Sequence, residues 1–198
     1  MRFGLVGTGP WAGIAHGPGL VATEGLDLVG VWGRNPEKAR DLAARLGVTA
    51  FEDLDALYDE VEAVAFAVPP EVQGELALRA AERGKHLLLD KPVAATVEAA
   101  SRLVEAVEEA GVSSIVFFTD RFLPTTREWL ADAERAAVEV GPWQGAWGRW
   151  LSPVWVEDTP FGDSPWRREH GALRDIGPHL FSYLTAALGP VASLSVQE

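Results

Sequence analysis

The chain has no cysteine, one methionine and two tyrosines, and its 17 lysines and arginines face 29 aspartates and glutamates. Without cysteine there is no disulfide scaffold, no thiolate zinc site and no cysteine nucleophile. The shortage of positive charge leaves a net charge of −12. So acidic a surface repels phosphate backbones and anionic lipid, which argues against nucleic acid and membrane as partners. No apolar run approaches the ~18 residues of a membrane-spanning helix. A signal peptide is not expected, because Met1-Arg2-Phe3-Gly4-Leu5-Val6 leads straight into a glycine-rich loop. The cytoplasm is therefore the expected compartment. What is present is ordinary globular material: 198 residues, 47% hydrophobic and 23% charged, with 20 glycines and 13 prolines. That length allows one large domain, or one complete domain and part of another.

Apolar runs of strand length alternate with stretches of helical period. Phe3 to Val6, Leu26 to Trp32, Ala63 to Val68, His86 to Leu89 and Ser114 to Phe118 read as strands, and a short sixth is placed at Val48 to Phe51. Their near-continuous hydrophobicity suits a sheet covered on both faces. Between them, Ala39, Leu42, Ala43 and Leu46 share one helical face, as do Val72, Leu76 and Ala80, and Val97, Ala100, Val104 and Val107. Gly47, Gly84 and Gly111 fall just past these helices, where left-handed caps are wanted. The expected class is α/β: a doubly wound parallel sheet of Rossmann type, built from right-handed βαβ units. Its expected extent is residues 1–120.

The first chemistry-bearing motif is Gly7-Thr8-Gly9-Pro10-Trp11-Ala12, closing the first strand and opening the first helix. Glycines there permit a tight turn and close backbone approach to a pyrophosphate. Cofactor choice is read at the end of the second strand, where an acidic residue would bond the ribose 2′-hydroxyl of NAD. The strand ends Trp32-Gly33-Arg34-Asn35 with no carboxylate. Arg34 is either a 2′-phosphate ligand, with Arg40 in support, or a solvated loop arginine. NADP is the expected cofactor, with NAD the second choice. Val68-Pro69 and Asp90-Lys91, at the ends of the next two long strands, complete the expected cofactor contacts.

After residue 120 the pattern changes. Leu123 to Val138 reads as a helix and Trp143 to Leu151 as a long strand carrying Trp143, Trp147 and Trp150. Those tryptophans are either core or a sheet face that docks a second subunit. A loop from Ser152 to Arg168, a helix from Gly177 to Leu188 and a strand at Val191 to Val196 follow. Asp175 and His179 are four apart, so one helical turn would put both on one face, where a carboxylate can orient an imidazole and favour its protonated form. Alternatively, Asp175 answers a helix dipole and His179 is a half-buried structural residue. His16 is read as structural. No third residue completes a metal site with the Asp175/His179 pair.

Three further segments carry a resemblance: Leu89-Asp90-Lys91-Pro92, Thr119-Asp120-Arg121-Phe122, and Asp175-Ile176-Gly177-Pro178-His179, with Trp166-Arg167 before the last. Together with Gly7-x-Gly9-x-x-Ala12 and His16, their order resembles the glucose–fructose oxidoreductase, inositol dehydrogenase and MocA (Gfo/Idh/MocA) family. The family's Glu-Lys-Pro stands here as Asp90-Lys91-Pro92. A frequent family histidine is replaced by Gln73, and a frequent aspartate by Ser182.

The resemblance implies an NAD(P)-dependent dehydrogenase acting on a hydroxyl carbon of a sugar, cyclitol or related polyol. His179 or Lys91 would take the hydroxyl proton, with Asp175 assisting. It also implies homo-oligomers through an open-faced sheet in an α+β second domain. Family members usually continue well beyond this length, so residues 121–198 are expected to be a partial substrate and oligomerisation domain. The alternative reading is a catalytically silent NADP-binding sensor or truncated paralogue.

Overall fold

The computed structural model describes residues 1–152 and 165–197. The chain forms two compact units, Met1–Phe117 and Phe118–Glu198.

The first unit is built on six parallel strands: β1 (Arg2–Val6), β2 (Asp27–Trp32), β3 (Thr49–Phe51), β4 (Ala63–Phe66), β5 (His86–Leu89) and β6 (Ser114–Val116). Their spatial order is β3-β2-β1-β4-β5-β6, the doubly wound order in which β1 lies where the winding reverses. Side chains alternate across a strand, and here both faces are covered. Leu5 and Ala65 belong to one apolar cluster, with Leu28, Val31, Leu42 and Ala43. Val6, Val64 and Phe66 belong to the other, with Leu57, Leu76 and Leu103. That is why the strands read as unbroken hydrophobic runs.

Five helices connect them: α1 (Gly17–Ala22), α2 (Pro36–Leu46), α3 (Leu54–Glu60), α4 (Pro70–Glu82) and α5 (Val97–Ala110). Asn35, Asp53 and Thr96 cap α2, α3 and α5 through their side-chain oxygens. Gly47, Gly84 and Gly111 all take positive φ after their helices. One helical face differs from the expectation. Helix α5 buries Leu103 and Ala106, while Val97 and Val104 are exposed. Two apolar stripes overlap on this helix, and the side with the leucine is the one the sheet covers.

The regular elements described in the second unit are helical: a 3₁₀ turn at Thr119–Phe122, then α6 (Pro124–Val140), α7 (Pro165–Asp175) and α8 (Gly177–Leu188). The strands expected at Trp143–Leu151 and Val191–Val196 are not formed. A strand needs a hydrogen-bonded neighbour, and every ladder among the described residues lies in the first unit. The stretch read as loop up to Arg168 becomes helical at Pro165, a residue suited to a first turn. The rest of that loop lies outside the described residues. No helix among the described residues is long and apolar enough to cross a membrane.

Candidate functional site

The carboxyl edge of the sheet gathers the predicted residues of the first unit. Gly7 follows β1 directly, and its N–H donates to the Trp32 carbonyl at the end of β2 (2.9 Å). With φ of 128°, and with a Cβ there set to collide with the Ala67 carbonyl oxygen, only glycine serves at this position. A Cβ on Gly9 would meet nothing within 4 Å, so the loop opens onto free space there. Pro10 and Trp11 begin the first helix, which passes through a π turn at Ala12–His16 before α1. Such turns are rare and cluster at functional sites.

His16 anchors this turn from below. It is buried, packed edge-on against Trp11 (centroids 6.5 Å apart) and tilted against Phe117 (5.5 Å). Burial lowers its pKa to about 4, so the ring is neutral at physiological pH. Its Nε2 has no hydrogen-bond partner among the described residues. Arg45 of α2 reaches over to the Gly13 carbonyl (3.4 Å).

At the end of β2, Gly33 is buried and Arg34 is exposed. Asn35 does not present its side-chain oxygen to the loop edge, because that oxygen accepts from the N–H groups of Glu37 (3.0 Å) and Lys38 (3.1 Å). At the end of β4, Val68 lies beside Gly7, and Pro69 stands at the N-cap of α4.

The loop after β5 holds Asp90, Lys91 and Pro92, with the Lys91–Pro92 bond cis. The Asp90 carboxylate accepts from the Lys91 N–H (2.8 Å). Gln73 on α4, only 1% exposed, clamps this loop. Its amide nitrogen donates to the carbonyls of Asp90 (2.7 Å), Pro92 (3.2 Å) and Val93 (3.0 Å). Its amide oxygen accepts from the Asp90 N–H (2.9 Å). In the sequence Gln73 stands out only as a departure from the family pattern. The available signal was a lone amide on the apolar face formed by Leu76, Ala77 and Ala80.

The predicted residues of the second unit sit in different surroundings. Asp175 is buried at the end of α7 and His179 lies in the first turn of α8. They do not share one unbroken helix. The chain turns at Ile176, whose carbonyl accepts from the His179 N–H (3.0 Å).

A carboxylate that the sequence did not single out as a site residue reaches the imidazole: Asp120 Oδ2 lies 3.7 Å from His179 Nδ1. Trp150 stacks on His179 (5.4 Å) and on Tyr183 (6.1 Å), and Phe118 meets His179 edge-on (6.0 Å). Burial and the Asp120 charge raise the pKa of Tyr183. Arg121 donates to the carbonyl (2.7 Å) and hydroxyl (3.3 Å) of Ser182. Among the described residues, no group of three His, Asp or Glu side chains could hold a metal.

Comparison with known proteins places this arrangement. Residues 1–118 match the model of the Gfo/Idh/MocA oxidoreductase family, NAD-binding Rossmann fold. The glucose-6-phosphate 3-dehydrogenase of Bacillus subtilis is 33% identical over 122 residues, covering 62% of this chain and 35% of the relative. The levoglucosan dehydrogenase of Pseudarthrobacter phenanthrenivorans is 30% identical over 174 residues, covering 81% and 42%. A solved 3-ketoreductase from Actinomadura kijaniata, in complex with NADP, aligns with a TM-score of 0.64 and 26% identity, over 68% of this chain and 44% of that one. The matched part amounts to between 34% and 52% of the curated relatives' own lengths. With its glycine loop, Lys91 segment and parallel sheet all inside the matched region, the chain belongs to the Gfo/Idh/MocA family of oxidoreductases.

Proposed function

We propose that the protein is an NADP-dependent dehydrogenase that moves a hydride between the nicotinamide and a hydroxyl carbon of a sugar, cyclitol or related polyol. The observation that carries this reading is the open cradle at Gly9 beside a β2 end that offers Arg34 and no carboxylate. The cradle suits a pyrophosphate, and Arg34 suits a 2′-phosphate more than a bare ribose hydroxyl. Gly7, Thr8, Gly9, Pro10, Trp11 and Ala12 would line the pyrophosphate, Gly33 to Asn35 the adenosine end, and Val68, Pro69, Asp90 and Lys91 the rest. A bound nicotinamide supplies the hydride acceptor.

The chain's own part is proton movement and orientation. Lys91 or His179 takes the proton from the substrate hydroxyl, a role in which acid–base groups contribute about 10²–10⁴-fold. Asp175 and Asp120 favour the charged imidazole. The relatives' sugar substrates and the bound NADP of the 3-ketoreductase support both the substrate class and the cofactor.

Residues 121–198 would carry substrate contacts and a self-association surface, with the exposed Trp147 on it. The cytoplasm is the compartment that fits a pyridine-nucleotide enzyme. A silent NADP-binding sensor is the second reading, favoured by the lack of strands in the second unit among the described residues. A retained Lys91 and a carboxylate–imidazole pair favour the enzyme, because a sensor has no use for a proton relay.

Titration of the 198-residue chain with NADPH and NADH, followed by tryptophan fluorescence, tests the cofactor assignment. NADPH is expected to bind more tightly, and Arg34→Ala to weaken it by about tenfold or more. Tighter NADH binding, unchanged by Arg34→Ala, would overturn it.

A further inference from the structure

We infer that Gln73 is the positioning residue of Lys91: its buried amide fixes the backbone on both sides of the lysine and so sets, from behind the loop, the direction in which that side chain leaves the sheet edge. The inference rests on the proton-transfer role given to Lys91 above and names the residue that aims it.

Four hydrogen bonds join this one side chain to the loop. One runs to the carbonyl of Asp90 and one comes from the Asp90 N–H, just before Lys91. Two run to the carbonyls of Pro92 and Val93, just after it. None of the four ends on Lys91 itself, which the held points bracket. A primary amide carries two N–H groups and one carbonyl oxygen. Three loop carbonyls therefore share two hydrogens while the amide oxygen serves the Asp90 N–H, a set that no hydroxyl or carboxylate can offer.

The amide is in turn held in place. Gln73 is 1% exposed and sits one turn into α4, where its own N–H donates to the Pro69 carbonyl (2.8 Å). Beside it, a Cβ on Gly74 would stand 2.9 Å from the Ala94 Cβ, so the bare position lets the helix lie against the outgoing end of the loop. Moving the amide would leave donors and acceptors unpaired in apolar surroundings, which is costly. Lys91, by contrast, is half-buried and carries its charge on a flexible four-carbon stem. A stem of that kind is aimed by the backbone from which it starts, and that backbone is what Gln73 holds.

The test uses the full chain with its lysine amines converted to ¹³C-dimethylamines, which keep their positive charge. The sequence has three lysines, Lys38, Lys85 and Lys91, so the methyl spectrum is simple, and Lys91→Arg identifies the Lys91 signal. Lys85, whose Nζ donates to the Val61 carbonyl (3.0 Å), is the internal control for an intact fold. In the wild type the Lys91 methyl signal is expected to stand apart from the position of free dimethyl-lysine. In Gln73→Met, and in Gln73→Asn with its amide one carbon short, it is expected to collapse onto that position while the Lys85 signal stays. Gln73→His at about pH 8, where the neutral ring offers one donor and one acceptor, is expected to restore most of the displacement.

An undisplaced Lys91 signal in the wild type, or one unchanged in Gln73→Met and Gln73→Asn, would overturn the inference. So would a Gln73→His protein no different from Gln73→Met. Loss of the Lys85 signal together with that of Lys91 would overturn it as well, by assigning Gln73 to the fold as a whole. The spectra need no cofactor. A chain that binds neither nucleotide while the Lys91 signal behaves as expected would defeat the dehydrogenase reading and leave the positioning intact.

Discussion

The two units differ in what they bury. Among the described residues, every fully buried hydrophobic side chain lies in the first unit, from Leu5 to Ala106, and the second unit's only fully buried residue is the acid Asp175. The first unit closes both faces of a sheet with helices. In the second, α6, α8 and the segment around residues 143–150 border a cavity of about 800 Å³ lined by Trp129, Trp143, Trp147, Trp150 and Tyr183. The aromatic surface that would form a core is left lining an opening. Buried packing and polar pairing are thus distributed unequally, with the apolar core in the first unit and the Asp120–His179 pair in the second.

The sharpest way to break that contrast is to truncate one large side chain in each unit. Phe66→Ala, at a fully buried β4 position, should cost about 3–5 kcal/mol in denaturant unfolding. Trp147→Ala, at a residue 82% exposed, should stay within about 0.5 kcal/mol. Comparable losses would mean that the second unit has a core of its own.

His16 gives the next largest effect. Its folded pKa of about 4 lies below the ordinary value of 6.5. Between those values the unfolded chain binds the proton and the folded chain does not, so stability falls as pH drops from about 6.5 to about 4 and levels off below. The loss should total about 3 kcal/mol, and His16→Phe should remove it. A wild-type stability that is flat across this range, or a slope unchanged in His16→Phe, would contradict the burial argument.

Gln73→Leu should cost roughly 1–3 kcal/mol by leaving the Asp90 N–H and loop carbonyls without their partner. Gln73→Glu should cost at least as much, because it keeps an acceptor for the Asp90 N–H but sets a buried carboxylate oxygen against the carbonyls of Asp90, Pro92 and Val93. Hydrogen exchange at the Asp90 amide reads the clamp directly, and unchanged protection in Gln73→Leu would deny it.

These residues also mark where sequence reasoning ran out. Six strands, their parallel pairing and the glycine loop were legible, because two-sided burial writes itself as continuous hydrophobicity and because Gly7 has no substitute. The Gln73 clamp spans 17 residues to Asp90, and Asp120 lies 59 positions before His179. Neither pairing follows a local period, so only the folded chain brings them together. The misplaced face of α5 has another cause. Val97 and Val104 form as apolar a stripe as Leu103 and Ala106, and the choice between them belongs to the sheet. At Trp143–Leu151 the tryptophans supply strand-like bulk, but among the described residues no neighbouring strand takes up the backbone hydrogen bonds.

The π turn at Ala12–His16 has a consequence for how this protein tolerates changes of length. A π turn holds one residue more than the α-helix it interrupts. Removing one residue there would let an ordinary helix form without loss of backbone bonding. The turn fits its extra residue into nearly the same rotation and rise as ordinary helix, so Pro10 and Trp11 would keep much of their present direction and the change would fall on the turn itself. One residue can therefore be lost at this place with little effect on the loop's aim, whereas the same deletion inside α2 would turn what precedes it by about 100° around the helix axis and advance it about 1.5 Å.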